Sequence, residues 1–199
     1  MTGSGTSSVM QVNTKKDCAG VSDYPFVLYN TFGALVDGKV VVCGGHSGDV
    51  VTAVCHAFDP AANEWDYAGA MARKRTRATA VTMGGGGAKM LVAGGTDGGE
   101  LLPSTEIYSG GSFTPGPEMP TALAHQCLVW VGGSKYFMAG GTTSEMEAST
   151  KAWILDVDTG GWEAMPDLNI GRKNPMCGKT ADGEVFVGGT RVNVLIFNQ

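Results

Sequence analysis

The side chains able to do acid–base or metal chemistry are few. His46, His56 and His125 are the three histidines of the 199-residue chain, and no H-E-x-x-H or paired C-x-x-C spacing sets metal ligands side by side. His56 adjoins Cys55 in an extended apolar segment, so the two side chains face opposite ways, and His125 falls in a different segment. The expectation is no catalytic residue, no metal and no cofactor. Gly84-Gly-Gly-Gly-Ala-Lys89 offers clustered backbone N–H groups, yet it lacks the Walker spacing and the hydroxyl after lysine. It also joins two apolar runs instead of opening a helix, so it reads as a hairpin turn.

Charge is densest in Met71-Ala-Arg-Lys-Arg-Thr-Arg77, where Arg73, Lys74, Arg75 and Arg77 fall within five positions. Such a run either receives an anion or an acidic protein, or is a solvated link with one arginine bracing its neighbours. A net charge of -5 and the absence of a recognition module argue against nucleic acid. No apolar run approaches the roughly 18 residues needed to span a bilayer, so membrane insertion is not expected.

The five cysteines allow two bridges and one remainder. Cys43 and Cys55 are equidistant from Asp49, so a hairpin centred there sets them opposite one another, within reach of a disulfide. Cys127 and Cys177 stand at similar distances before two later glycine pairs, on equivalent strands, and form a second candidate pair. Cys18 is left over. The alternative is five reduced cysteines buried as small apolar residues in a cytosolic protein.

What must position all these groups is a repeated strand that ends in two glycines. It occurs as Val40-Val-Val-Cys-Gly44-Gly45, Met90-Leu-Val-Ala-Gly94-Gly95, Tyr136-Phe-Met-Ala-Gly140-Gly141 and Glu184-Val-Phe-Val-Gly188-Gly189, with first glycines 50, 46 and 48 residues apart. Periods of this size mark solenoids, propellers or arrays. An apolar run and a turn precede each pair, at Asp37-Gly38, Gly84–Gly87, Gly132-Gly133 and Asp182-Gly183. A third strand follows, and a fourth carries Trp65, Phe113 or Trp162. The last cycle lacks its fourth strand, and residues 9–16 are in phase to supply it.

These features, with Met119-Pro120 and Met165-Pro166 between cycles, resemble kelch repeats. The resemblance covers about residues 20–199 and implies an all-β kelch-type propeller of about four blades, each of four antiparallel strands. Its last blade would be closed by the N-terminal strand; the alternative is a larger propeller completed by further sequence or by another chain. Phe113 in place of tryptophan, and no arginine after Met119-Pro120, depart from the pattern. The expected organisation is a flexible tail at 1–8 and one domain over 9–199, with units at about 20–70, 71–118, 119–164 and 165–199 plus 9–16.

Strand alternation puts the glycine-pair loops and inter-blade links on one face, where the resemblance implies partner binding. The candidate binding residues there are Tyr29, His46, Asp49, Arg73, Lys74, Arg75, Arg77, Asp97, Glu100, His125, Glu145, Arg172, Lys173 and Arg191. The expected function is a non-enzymatic interaction or structural propeller for a protein or glycan partner, with self-association in a homo-oligomer or larger assembly. The alternatives are a small enzyme or metal-dependent lectin-like site in the central mouth, and a cytosolic kelch adaptor fragment. The order Cys18, Cys43-Gly-Gly, Cys55 is similar to invertebrate extracellular kelch-type proteins, which favours an extracellular location over a cytoplasmic one. Met1–Ser8 itself has neither the basic nor the apolar region of a signal peptide.

Overall fold

The structure, a computed structural model, describes residues 10–11, 19–189 and 195–197. All strands pair antiparallel, and they form four successive blades. Blade I contains Phe32–Val36, Lys39–Cys43, Val54–Asp59 and Glu64–Ala70. Blade II contains Thr79–Met83, Lys89–Ala93, Thr105–Ser109 and Ser112–Pro115. Blade III contains Cys127–Gly132, Lys135–Ala139, Ala152–Asp156 and Gly161–Met165. Blade IV contains Met176–Lys179, Val185–Gly188 and Leu195–Phe197. In every blade the strands lie side by side in sequence order.

Turn chemistry sets the hairpins. Asp37 and Gly38 both take positive φ, 48° and 78°, as a two-residue turn between paired Val36 and Lys39 requires. In blade IV the hairpin closes wider. The Thr180 N–H donates to the Glu184 carbonyl at 2.9 Å and the Glu184 N–H to Thr180 Oγ1 at 3.0 Å, leaving Ala181–Gly183 as the loop with Gly183 at φ 94°.

The second strands of blades II and III read as unbroken apolar runs because they are buried on both faces. Met90 and Val92 pack back against blade I, joining Val41, Cys43 and Tyr108. Leu91 and Ala93 pack forward onto Tyr136, Met138, Trp153 and Leu155 of blade III. Phe137 and Ala139 in turn meet Val185 and Val187 of blade IV. The fourth-strand aromatics belong to the same layers, Phe113 between blades I and II and Trp162 between blades II and III. Trp65 differs, since the segment before blade I packs on it. Its ring packs on Phe58 and on Tyr24 from the chain segment before the blade, with centroids 5.2 and 4.8 Å away.

Each glycine pair of blades I to III works as a lock. The first N–H donates within its own blade, Gly44 to Val54, Gly94 to Ser104 and Gly140 to Lys151. The second donates to the link leading into the next blade, Gly45 to Arg75, Gly95 to Leu123 and Gly141 to Arg172, at 2.8–2.9 Å. All six glycines have φ between 61° and 107°. A Cβ on Gly44 would strike the Arg75 carbonyl and the Phe32 ring, and one on Gly140 would lie 2.8 Å from Pro175 Cγ. Gly188 and Gly189 look equivalent in sequence, but neither takes positive φ and nothing crowds Gly188.

Both anticipated disulfides form. Cys43 and Cys55 are cross-strand partners with Cα atoms 4.1 Å apart, and Cys127–Cys177 joins the first strands of blades III and IV with Cα atoms 5.7 Å apart. Cys18 and the tail at 1–8 lie outside the described residues.

The closing strand falls largely outside the described residues. Met10–Gln11 pairs with Ala19–Gly20, which satisfies its backbone locally, and does not enter the sheet of blade IV. The remainder of 9–16 lies outside the described residues. The first strands touch in order, I to II, II to III and III to IV, but no comparable contact joins IV to I among the described residues.

Two measurements check this architecture. In urea, Gly140→Ala should lose at least about 1–2 kcal/mol from the left-handed backbone alone, whereas Gly188→Ala should stay within about 0.5 kcal/mol of wild type. Equal losses would contradict the distinction between the pairs. Alkylation of the denatured, unreduced protein should label at most one cysteine, and reduction should expose all five.

Candidate functional site

The glycine-pair loops of blades I to III and the links into blades II, III and IV converge on a central mouth, a cavity of about 1340 Å³. His46 and Asp49 line it from blade I, Arg77 and Glu100 from blade II, His125 from blade III and Lys173 from the link into blade IV. Six of the fourteen sequence candidates thus come together at one place. Thr76 and Asn174 are lining residues that sequence reasoning did not place on this face, whereas the loop residues Thr96 and Thr142 fall where strand alternation puts them.

A repeated backbone position builds the rim. Asn30, Arg77, His125 and Asn174 each precede a first strand by a residue or two, and all four take the left-handed conformation, with φ between 50° and 58°. Arg77 N–H donates to the Asn30 carbonyl at 3.2 Å and His125 N–H to the Arg77 carbonyl at 2.8 Å, so the links are hydrogen-bonded to one another around the mouth. His46 Nδ1 lies 3.1 Å from Thr76 Oγ1, which also reaches the Asn30 carbonyl. Burial lowers the pKa of His125 from its ordinary 6.5, and the Arg77 charge lowers it further, so the ring is neutral at pH 7. The mouth carries cations at Arg77 and Lys173 and anions at Asp49 and Glu100. Among the described residues no three His, Cys, Asp or Glu side chains form a metal-binding group.

The other candidates disperse. Tyr29 is exposed at the edge, its ring 5.9 Å from His46. Lys74 and Glu145 are exposed away from the cavity. Arg73 pairs at 3.0 Å with Asp97, whose carboxyl is held down to about 2 by the backbone N–H groups of Glu100 and Gly99 and then by Arg73. Arg191 lies outside the described residues.

Arg75 and Arg172 are not on the binding face at all, being 0% and 4% exposed. The Arg75 guanidinium donates to the Gly94 and Ser104 carbonyls at 2.9 and 3.0 Å, and to Glu106 Oε1 at 2.6 Å. Glu106 also accepts the Ala72 and Arg73 N–H groups, so it holds the link as well as the cation. The basic run Met71–Arg77 is therefore no single anion site. Its link turns across the face, sending Arg73 to solvent, Arg75 into the protein and Arg77 to the mouth. The one sequence signal for this brace was Glu106, a carboxylate inside a strand with buried neighbours, because a buried charge requires a partner. In the next link Leu123 takes the place of Arg75, and Gln126 donates to the Ala93 carbonyl at 2.8 Å instead.

Radially repeated four-stranded antiparallel sheets whose first strands meet at the axis define a β-propeller architecture. The comparisons refine that class. A Kelch motif matches residues 29–72, which span the first blade. The solved structure of YjhT superposes with a TM-score of 0.73 at 16% identity, over 88% of this chain and 63% of that one. The F-box/kelch-repeat protein SKIP20 of Arabidopsis thaliana is 29% identical over 93 residues, which are 42% of this chain and 22% of the relative. The fold is a β-propeller with a Kelch motif in its first blade, and the chain spans less than two thirds of either protein it matches.

Arg77→Ala removes the second cause of the depressed His125 pKa and leaves the first. The His125 midpoint followed by ring-proton NMR should then rise while staying below 6.5. An unchanged midpoint would contradict the juxtaposition of the two side chains.

Proposed function

We propose that this protein is a non-enzymatic interaction propeller whose central mouth receives an acidic segment of a partner protein. The observation that carries the reading is the convergence of Arg77, His125 and Lys173 from three consecutive links on one cavity. Arg77 and Lys173 are exposed and have no ion pair among the described residues, unlike Arg73 and Arg75, which already hold carboxylates. A carboxylate entering between them gains charge-assisted hydrogen bonds, about 1.5–3 kcal/mol each. Asp49 and Glu100 give the mouth a second polarity, which orients a segment carrying charges of both signs. Glycans bearing acid groups share this chemistry and serve as the competing ligand class in the test.

The two disulfides support residence in an oxidising compartment, and so an extracellular setting.

The test uses an array of acidic, neutral and basic peptides beside an array of neutral and acidic glycans. Acidic peptides should be retained by the wild type, and affinity should fall at least tenfold in Arg77→Ala combined with Lys173→Ala. Lys74→Ala should leave binding unchanged. Retention of neutral peptides alone, of glycans alone, or turnover of a ligand would overturn the proposal.

A further inference from the structure

The backbone around the mouth holds side chains in a conformation that most residues avoid. Among the described residues seven other than glycine take positive φ, and four of these, Arg77, His125, Met146 and Asn174, line the cavity. Asparagine, aspartate and histidine tolerate the left-handed region best, which leaves Arg77 and Met146 as the unfavourable cases. Arg77 is held by the hydrogen bonds that join the links. Met146 stands at a loop tip, where glycine would serve.

The neighbouring loops show what such a tip holds elsewhere. Residues 46–51 and 96–101 close on the same kind of bond, Thr52 N–H to the Gly45 carbonyl and Leu102 N–H to the Gly95 carbonyl. Each turns at a left-handed glycine, Gly48 at φ 55° and Gly98 at φ 103°. The loop of blade III, 142–148, is one residue longer and closes on the bond from Ser149 N–H to the Gly141 carbonyl. Its left-handed residue is Met146, at φ 59°. The turn is held by Met146 N–H donating to the Thr143 carbonyl at 3.0 Å and Glu147 N–H to Thr143 Oγ1 at 3.2 Å. The Met146 side chain is 63% exposed, so packing within the protein does not offset the unfavourable backbone.

This apolar side chain is set between the basic groups of the mouth. One base of its loop is bonded to the His125 link, Thr142 N–H to the Ala124 carbonyl at 2.7 Å and Ala124 N–H to the Thr142 carbonyl at 3.2 Å. The other base is bonded to the Lys173 link, Arg172 N–H to the Ser149 carbonyl at 3.0 Å and Gly141 N–H to the Arg172 carbonyl at 2.8 Å. Around the rim the order is therefore Arg77, His125, the Met146 loop and Lys173. Val51 and Leu101, which end the two shorter loops, line the same cavity. In blade III the corresponding residue is Ala148, outside the lining, and Met146 supplies the apolar surface instead.

The geometry points to Met146 as a specificity-determining residue of the mouth, which contacts a large apolar side chain next to a carboxylate in the partner's acidic segment. The inference rests on the acidic-segment reading and narrows it. A ligand carboxylate held between Arg77 and Lys173 has the Met146 loop beside it, so the adjoining residue of an extended segment meets the methionine. An unbranched thioether adapts to aliphatic and aromatic shapes alike. A leucine or phenylalanine removed from water there adds affinity that a serine does not.

Two short acidic peptides, identical except for a central Leu or Ser, are titrated by fluorescence anisotropy against the wild type and its variants. The wild type should bind the Leu peptide at least about fivefold more tightly than the Ser peptide. Met146→Gly should abolish that preference and leave the affinity for the Ser peptide unchanged. Its urea midpoint should be no lower than that of the wild type, since glycine adopts positive φ freely. Met146→Leu should keep the preference. A wild type that binds both peptides equally, or a Met146→Gly variant that still prefers Leu, overturns the inference while acidic-peptide binding stands. A lower urea midpoint for Met146→Gly would assign the side chain to stability and overturn it as well. If neither peptide binds, or if binding survives Arg77→Ala combined with Lys173→Ala, the acidic-segment reading falls and this inference with it.

Discussion

The arrangement depends on the left-handed glycine pair, through which each of the first three blades is tied to the next by backbone alone. Two adjacent positive-φ residues turn the chain so tightly that one N–H returns to its own third strand and the other crosses to the following link. Side chains are excluded at both positions because neighbouring carbonyls and rings already fill the space. The links held in this way place Arg77 and His125 at the mouth. Replication of a constraint, not any single side chain, brings the rim residues to one place.

Much of this was legible in the sequence. The period of the glycine pairs carried the blade number, and the unbroken apolar runs before the second and third pairs carried the burial on both faces. The position of Asp49 between Cys43 and Cys55 carried the first bridge, since hairpin register is fixed by its centre. Less visible was the fate of individual charges. Arg73, Arg75 and Arg77 are two residues apart, yet one reaches solvent, one Glu106 and one the mouth, because the link does not keep a strand's alternation. The fourth glycine pair shows the limit of motif reading. Gly188 and Gly189 preserve the letters without the conformation, since left-handed geometry is imposed by what surrounds the pair.

The mouth and the blade faces have opposite origins. The mouth is polar because link residues at the rim are held by backbone hydrogen bonds and need not pack, so Asn30, Arg77, His125 and Asn174 can differ freely at one conformation. The blade faces are apolar because each packs against its neighbour between blades I and II, II and III, and III and IV. Tyr24 and Phe26 protect one such face in part, using the His56 ring as their platform.

Amide hydrogen exchange at Gly45, Gly95 and Gly141 tests the lock most directly. If their N–H groups donate to the Arg75, Leu123 and Arg172 carbonyls, all three should exchange only on global unfolding, as slowly as the second-strand amides of Met90 and Phe137. Exchange at the rate of an exposed loop would contradict the claim that these pairs hold the blades together.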